Sequence, residues 1–95
     1  MPPAVRQGDL TSGHPPFLPT SIMMGSTDVL INNMGAARVG DPIIPHTDGL
    51  TPPHPSTISS GSGSVFVNDK PLARIGDTIA CGDMLTQGSG NVISQ

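Results

Sequence analysis

Several kinds of residue that usually stabilise a small protein are scarce in this chain. Its 95 residues include no tryptophan or tyrosine, two phenylalanines and one cysteine, Cys81. Hydrophobic residues make up only 35% of the sequence, so little apolar surface is available for a core. A single cysteine excludes an internal disulfide. A domain of this composition is therefore expected to need a bound metal, a partner or both.

Charge is also scarce, and its distribution argues against several functions. Only four residues are Lys or Arg, and the net charge is −3. No basic patch exists, which argues against nucleic-acid binding. The N-terminus lacks the apolar core of a signal peptide, and no apolar run approaches membrane-spanning length. We therefore expect synthesis in the cytoplasm and export only through other machinery.

Glycine and proline are abundant, which argues against helices. The chain contains 12 glycines and 11 prolines, and its longest stretch free of both is residues 26–34. An isolated helix needs a longer run. Short β-branched or apolar runs instead predict strands at residues 21–24, 28–31, 64–67 and 91–94. Tight turns are predicted at residues 32–35 and 68–71, and Pro-rich loops at 15–19 and 47–60. The expected fold class is all-β.

A threefold repeat runs through this single expected domain, residues 1–95. Residues 25–46 align without a gap with residues 61–82. The identical pairs are Gly25/Gly61, Ser26/Ser62, Val29/Val65, Asn32/Asn68, Ala37/Ala73, Arg38/Arg74, Gly40/Gly76, Asp41/Asp77 and Ile43/Ile79. The second half of the unit recurs at residues 3–9 and the first half at residues 88–93. The two ends sum to one unit, as in a ring of three that is cut open inside a repeat.

Each unit contains an Arg-x-Gly-Asp element, and the three elements end at Asp9, Asp41 and Asp77. The pattern predicts a Gly-Asp turn whose carboxylate accepts hydrogen bonds from backbone amides or from the neighbouring arginine. Exposed ion pairs stabilise a protein by roughly 0–1 kcal/mol. We therefore expect the three pairs to fix turn geometry more than to contribute energy.

One cysteine and three histidines make a candidate zinc site. His14 and His46 occupy equivalent positions of the repeat, Cys81 lies one residue before the third such position, and His54 lies in an inserted loop. One thiolate and three imidazoles suit tetrahedral zinc and leave no position for water, which marks a structural site. The alternative is three exposed loop histidines and an ordinary buried cysteine. The repeat register favours the metal. The chain has no Glu to act as the usual metalloprotease base, so we expect no enzyme.

Residues 3–6, 35–38 and 71–74 resemble the Pro-Ala-Ala-Arg motif of the PAAR-repeat proteins. The Gly-Asp that follows each of them and the final Ala-Cys-Gly are also similar to that family's pattern. The departures are Gly35 in place of proline, and Val5 and Leu72 in place of alanine. None of these departures falls on a candidate ligand.

This resemblance implies a small conical all-β domain with pseudo-threefold symmetry. It implies one structural zinc near the apex, held by His14, His46, His54 and Cys81. Such proteins cap the trimeric β-helical spike of type VI secretion systems or contractile phage tails, one copy per trimer. The resemblance thus implies a bare spike tip that sharpens the spike, helps adaptors or effectors to dock and contacts the target membrane transiently. The alternatives are a small zinc-dependent hydrolase or effector and a stand-alone zinc-stabilised adaptor.

Overall fold

Short hairpins and isolated bridges make up the fold, with no helix among the described residues. The computed structural model describes residues 2–13, 18–45 and 55–94. Strands β1 (Leu30–Ile31) and β2 (Met34–Gly35) form one antiparallel hairpin, and β3 (Phe66–Val67) and β4 (Lys70–Pro71) form another. No described residue belongs to a helix long and apolar enough to cross a membrane. The all-β prediction is confirmed, but the strands predicted at residues 28–31 and 64–67 are shorter, and those predicted at 21–24 and 91–94 form only isolated bridges.

Two-residue turns close both hairpins. Asn32 and Asn33 have φ angles of 53° and 66°, and Asn68 and Asp69 have the same pair of values. Positive φ at both central residues defines the type I′ turn, whose twist matches that of paired strands. Asn and Asp tolerate this left-handed conformation better than other non-glycine residues. The turn chemistry read from the sequence is therefore confirmed at both sites.

A third hairpin is assembled from the two ends of the chain. The Ala4 amide donates to the Val92 carbonyl at 3.0 Å, and the Ser94 amide donates to the Pro2 carbonyl at 2.9 Å. The first of these bonds has equivalents of the same length in the other two hairpins, Ala36 to Val29 and Leu72 to Val65. The two half-units therefore do complete a ring of three, as the repeat predicts.

The three units meet in a closed cycle of backbone hydrogen bonds. Val5 donates to the Ala73 carbonyl at 3.0 Å, Ala73 donates to Ala37 at 2.9 Å, and Ala37 donates to Val5 at 2.9 Å. All three residues are fully buried. This cycle, the central ring, marks the pseudo-threefold axis of the fold.

A second closed circle of six short segments lies beyond the central ring. Its bridges join Thr11 to Leu85, Leu10 to Ser21, Ile22 to Ile43, Pro42 to Thr57, Ile58 to Ile79, and Thr78 to Met84. One residue of each segment is at most 2% exposed: Thr11, Ile22, Ile43, Ile58, Ile79 and Leu85. The five apolar side chains among them form most of the main hydrophobic cluster. We call this circle the six-segment ring.

The end of the predicted loop at residues 47–60 belongs instead to the six-segment ring. Residues 46–54 lie outside the described part, but Thr57 bridges Pro42 and Ile58 bridges Ile79. The loop prediction is therefore wrong at this end. Ile22 and Ile58 have the same spacing as the two complete repeats, so extending the alignment three residues upstream would have found Ile58.

Two hydrophobic clusters distinguish the two ends of the protein, and the side chains of the central ring belong to the larger one. On one side lie the three hairpins with a small cluster of Ala4, Ile31, Ala36, Val67 and Leu72. On the other side lies the six-segment ring with the larger cluster, against which Cys81 packs. Each copy of the repeat runs from its hairpin through the central ring towards the six-segment ring. The hairpins therefore lie at one end of the protein and the six-segment ring at the other.

Candidate functional site

Each Arg-x-Gly-Asp element forms a tight clamp between an arginine and a buried aspartate. In the second unit, Asp41 accepts hydrogen bonds from the Arg38 backbone amide at 2.8 Å, Nε at 3.0 Å and Nη2 at 2.9 Å. The first and third units repeat this pattern. The Asp41 side chain is 5% exposed and that of Arg38 is 12% exposed. The predicted contacts are confirmed, but the treatment of these pairs as exposed is wrong.

The clamp raises the pKa of its arginine. The hydrogen bond to Asp41 raises the pKa of Arg38 above its ordinary value and outweighs the lowering caused by burial. Arg6 and Arg74 behave in the same way beside their own aspartates. A raised arginine pKa adds stability that is fully present below the ordinary pKa and is lost only as pH rises beyond it. The arginine side of the clamp is thus insensitive to ordinary changes of pH.

Asparagine and serine side chains link one unit to the next. Asn32 Oδ1, at the tip of the first hairpin, accepts hydrogen bonds from Arg6 Nη1 at 2.9 Å and from Ser89 Oγ at 2.6 Å. At the tip of the second hairpin, Asn68 Oδ1 accepts from Arg38 Nη1 at 2.9 Å and from Ser26 Oγ at 2.7 Å. The turns therefore hold neighbouring units in register as well as closing their own hairpins.

Only one of the four candidate zinc ligands lies in the described part of the chain. His14, His46 and His54 lie outside the described residues. Within those residues, no group of three or more His, Cys, Asp or Glu is placed to hold a metal. Cys81 occupies a turn in which the Gly82 amide donates to the Ile79 carbonyl at 2.9 Å, and it is half-buried. The predicted ligand set therefore remains a prediction.

The backbone segments adjoining all four candidate ligands are joined to one another at the six-segment ring. Ser12, which leads to His14, donates to the Met84 carbonyl at 2.9 Å, just beyond Cys81. Three further backbone bonds complete the circle: Ile44 to Ser21, Ile43 to Ser56, and Ala80 to Thr57. These bonds join four stretches of the chain: the one that follows His14, the one that precedes His46, the one that follows His54 and the one that precedes Cys81. The described segments nearest to the four candidates therefore meet at the same end of the protein.

A buried carboxylate that the sequence did not single out lies beside this end. Asp83 is fully buried, and its Oδ1 accepts hydrogen bonds from Ser12 Oγ at 2.9 Å and from the Met84 amide at 2.7 Å. It therefore fastens the segment that leads to His14 onto the turn that carries Cys81. Asp83 has no equivalent in the Arg-x-Gly-Asp pattern, and only its position two residues after Cys81 could have drawn attention to it.

The opposite end carries a threefold set of exposed apolar side chains. Its members are Val29, Val65 and Val92, which are 37–40% exposed, and Leu30, Phe66 and Ile93, which are 56–57% exposed. Each hairpin contributes one residue of each kind. We call these six residues the hairpin face. An exposed apolar surface with threefold repetition is typical of a protein–protein contact.

The outer strand of each hairpin also has a strand edge available for pairing. Leu30 lies opposite Gly35 and one residue further from the turn than the Ile31–Met34 pair. Hydrogen bonds alternate along an antiparallel pair, so the Leu30 amide and carbonyl point away from Gly35. Gly35 uses its own outward carbonyl to accept from Gln7 of another unit at 2.7 Å. The described residues supply no second partner strand for Leu30, and the same holds for Phe66 and Ile93.

These features define a small all-β protein in which three hairpin units surround a pseudo-threefold axis. The chain matches the PAAR motif family model over residues 12–87. Because the match covers more than half of the chain, the chain belongs to the PAAR motif family. Proteins with this motif are structural proteins of the spike-tip type in secretion systems and phage tails, and they bind zinc in general. No curated protein matches the chain significantly.

Proposed function

We propose that this protein caps the trimeric β-helical spike of a type VI secretion system or a contractile phage tail, one copy per trimer. The observation that carries the proposal is the threefold repetition of the hairpin face and its strand edges. A monomer with three equivalent faces can match the end of a threefold trimer with each face at once. A single copy then occupies the axis and leaves no room for another.

The contact combines backbone pairing with apolar burial. The end of a β-helical trimer presents strand edges, and the outer strands at Leu30, Phe66 and Ile93 can extend them by β-augmentation. The exposed side chains of the hairpin face lose contact with water in the same step. Charge contributes little because only Asp69 and Lys70 of the described hairpin residues are charged. Binding is therefore expected to survive moderate salt.

At the opposite end, the donor set fits one structural zinc. Cys81 would supply a thiolate and His14, His46 and His54 three imidazoles; the described segments that flank these residues are joined at the six-segment ring. One zinc ion bound by all four would tie these segments covalently and add folding energy that the small core does not provide. Packing of Cys81 against the core would hold the thiolate in place. The hydrogen bond from Ser12 Oγ to Asp83 fixes the neighbouring backbone.

A fully ligated zinc leaves no position for substrate, so we propose no catalytic activity. The protein, proposed as a single domain over residues 1–95, would be synthesised in the cytoplasm and exported at the tip of the spike. There it would sharpen the spike, contact the target membrane transiently and offer a docking site for effectors or adaptors.

Co-purification with trimeric spike proteins of the same source tests the proposal. The wild-type protein should form a stable complex that persists in moderate salt. Leu30→Asp, Phe66→Asp and Ile93→Asp should each weaken the complex, because each places a charge in the hairpin face. Thr78→Asp, an exposed change on the six-segment ring, is the matched control and should bind as wild type. Equal binding by all four variants would contradict the proposed face.

A further inference from the structure

The three hairpins are alike in geometry but differ in how they are closed. Two-residue turns at residues 32–33 and 68–69 join the strands of the first two covalently. In the third hairpin, residues 2–4 pair with residues 92–94, and no turn connects them because they come from opposite ends of the chain. We call this pairing the seam. Extending the chain at either end could not supply the missing connection.

Among the described residues, three backbone hydrogen bonds hold the seam. Its backbone bonds are Ala4 to Val92 at 3.0 Å, Ser94 to Pro2 at 2.9 Å and Ser89 to Ala4 at 2.8 Å. Pro2, which lies opposite Ser94, has no amide to donate, so this pair lacks one of the two bonds of a hydrogen-bonded pair. Because no turn holds the strands near each other once they separate, the entropy gained on opening is larger here than in the other hairpins.

The outer strand of the seam is also one of the three edges proposed to meet the spike. Val92 and Ile93 belong to the hairpin face and are 37% and 56% exposed. A spike strand that pairs with this edge would hold the C-terminal strand between itself and residues 2–4. The spike would then bind only the closed seam, and any ligand that binds one state alone stabilises that state.

We propose that the seam is a conformational latch: it opens locally in the free protein, and binding of the trimeric spike closes it. This inference rests on the proposed function, since the spike is the ligand that selects the closed state. Closing of the seam and binding of the spike are then coupled, so that each favours the other. The free protein binds more weakly than a protein whose seam is locked, because part of the binding energy is used to close it.

Amide hydrogen exchange in the zinc-loaded free protein tests the latch with an internal control. The Ala4, Ala36 and Leu72 amides donate to equivalent carbonyls at 3.0 Å, and all three residues are buried. Only Ala4 lies in the seam, so its amide should exchange at least about tenfold faster than the other two. Equal exchange rates for the three amides would overturn the latch.

The same measurement with the spike trimer tests the coupling. Binding should slow exchange at Ala4 by about tenfold or more and bring it close to the rates at Ala36 and Leu72. A complex in which the Ala4 amide exchanges as in the free protein would overturn the coupling. If no trimeric spike binds at all, the coupling fails together with the proposed function. The exchange rates of the Ala4, Ala36 and Leu72 amides in the free protein then still decide whether the seam opens.

Locking the seam provides a second, independent readout. Pro2→Cys and Ser94→Cys would place cysteines in a hydrogen-bonded pair, whose Cα atoms lie about 5.5 Å apart, within the range for a disulfide. The oxidised form should bind the trimer about five- to tenfold more tightly than its reduced form. Val67→Cys with Lys70→Cys spans the closed turn of the second hairpin and is the control, with no change beyond about twofold. Equal responses of the two pairs would contradict the latch.

Discussion

Replacing Asp41 by alanine should destabilise the protein far more than an exposed ion pair would allow. The change removes the acceptor of three Arg38 hydrogen bonds, all 3.0 Å or shorter, and leaves an arginine whose side chain is only 12% exposed without its nearest counter-charge. Breaking a buried pair in this way costs about 3–5 kcal/mol. For a domain of this size, that loss lowers the melting temperature by on the order of 20 °C.

Three further variants show whether burial of the clamp is the cause. Asp41→Asn keeps an acceptor for the Arg38 amide and should cost less, about 2 kcal/mol. Arg38→Met combined with Asp41→Leu should cost less than Asp41→Ala alone, because no buried charge is left unpaired. Asp28→Ala removes an exposed carboxylate and should change stability by less than about 1 kcal/mol. Denaturant unfolding of zinc-loaded protein measures all four. An Asp41→Ala loss equal to that of Asp28→Ala would refute the reasoning.

Four other outcomes are expected. Metal analysis of chelator-free protein should find one zinc per chain, and its absence would exclude the site. Substituting alanine for His14, His46 or Cys81 should cost several kcal/mol in thermal melts, with His54→Ala less costly; melts of all four variants at the wild-type temperature would contradict the ligand set. Gly61→Ala should destabilise zinc-loaded protein by more than about 1 kcal/mol, because its Cβ would lie 2.8 Å from the Leu72 carbonyl oxygen, whereas Gly63→Ala, with nothing within 4 Å, should be tolerated. Peptide, ester, phosphate and nucleic-acid substrates should not be hydrolysed, and turnover that disappears with His54→Ala would overturn the structural role.

The repeat predicted the architecture because symmetry left a strong trace in the sequence. Identical residues at equivalent positions located both hairpins and the clamps, and the half-units at the chain ends predicted the third hairpin. The Asn-Asn and Asn-Asp pairs predicted the turns because few other residues tolerate positive φ. Where few residue types can adopt the required backbone conformation, the sequence alone predicts the local structure.

Other features depend on contacts between distant residues, which the sequence does not display. Ile58 reads as part of a loop because Pro and Ser surround it, yet its burial comes from pairing with Ile79. Asp41 is likewise buried and accepts a backbone hydrogen bond from the distant Ile58, which the Arg-x-Gly-Asp pattern does not reveal. The convergence of the segments that adjoin the candidate ligands is visible only once the six-segment ring is closed.

The stoichiometry of the complex with a spike trimer tests the central claim most directly. Because one chain carries three equivalent hairpins, native mass spectrometry of the purified complex should show one copy of this protein per trimer. Three copies per trimer would mean that each spike strand binds a separate copy of this protein. That result, or the absence of a complex with every trimeric spike of the same source, would contradict the account.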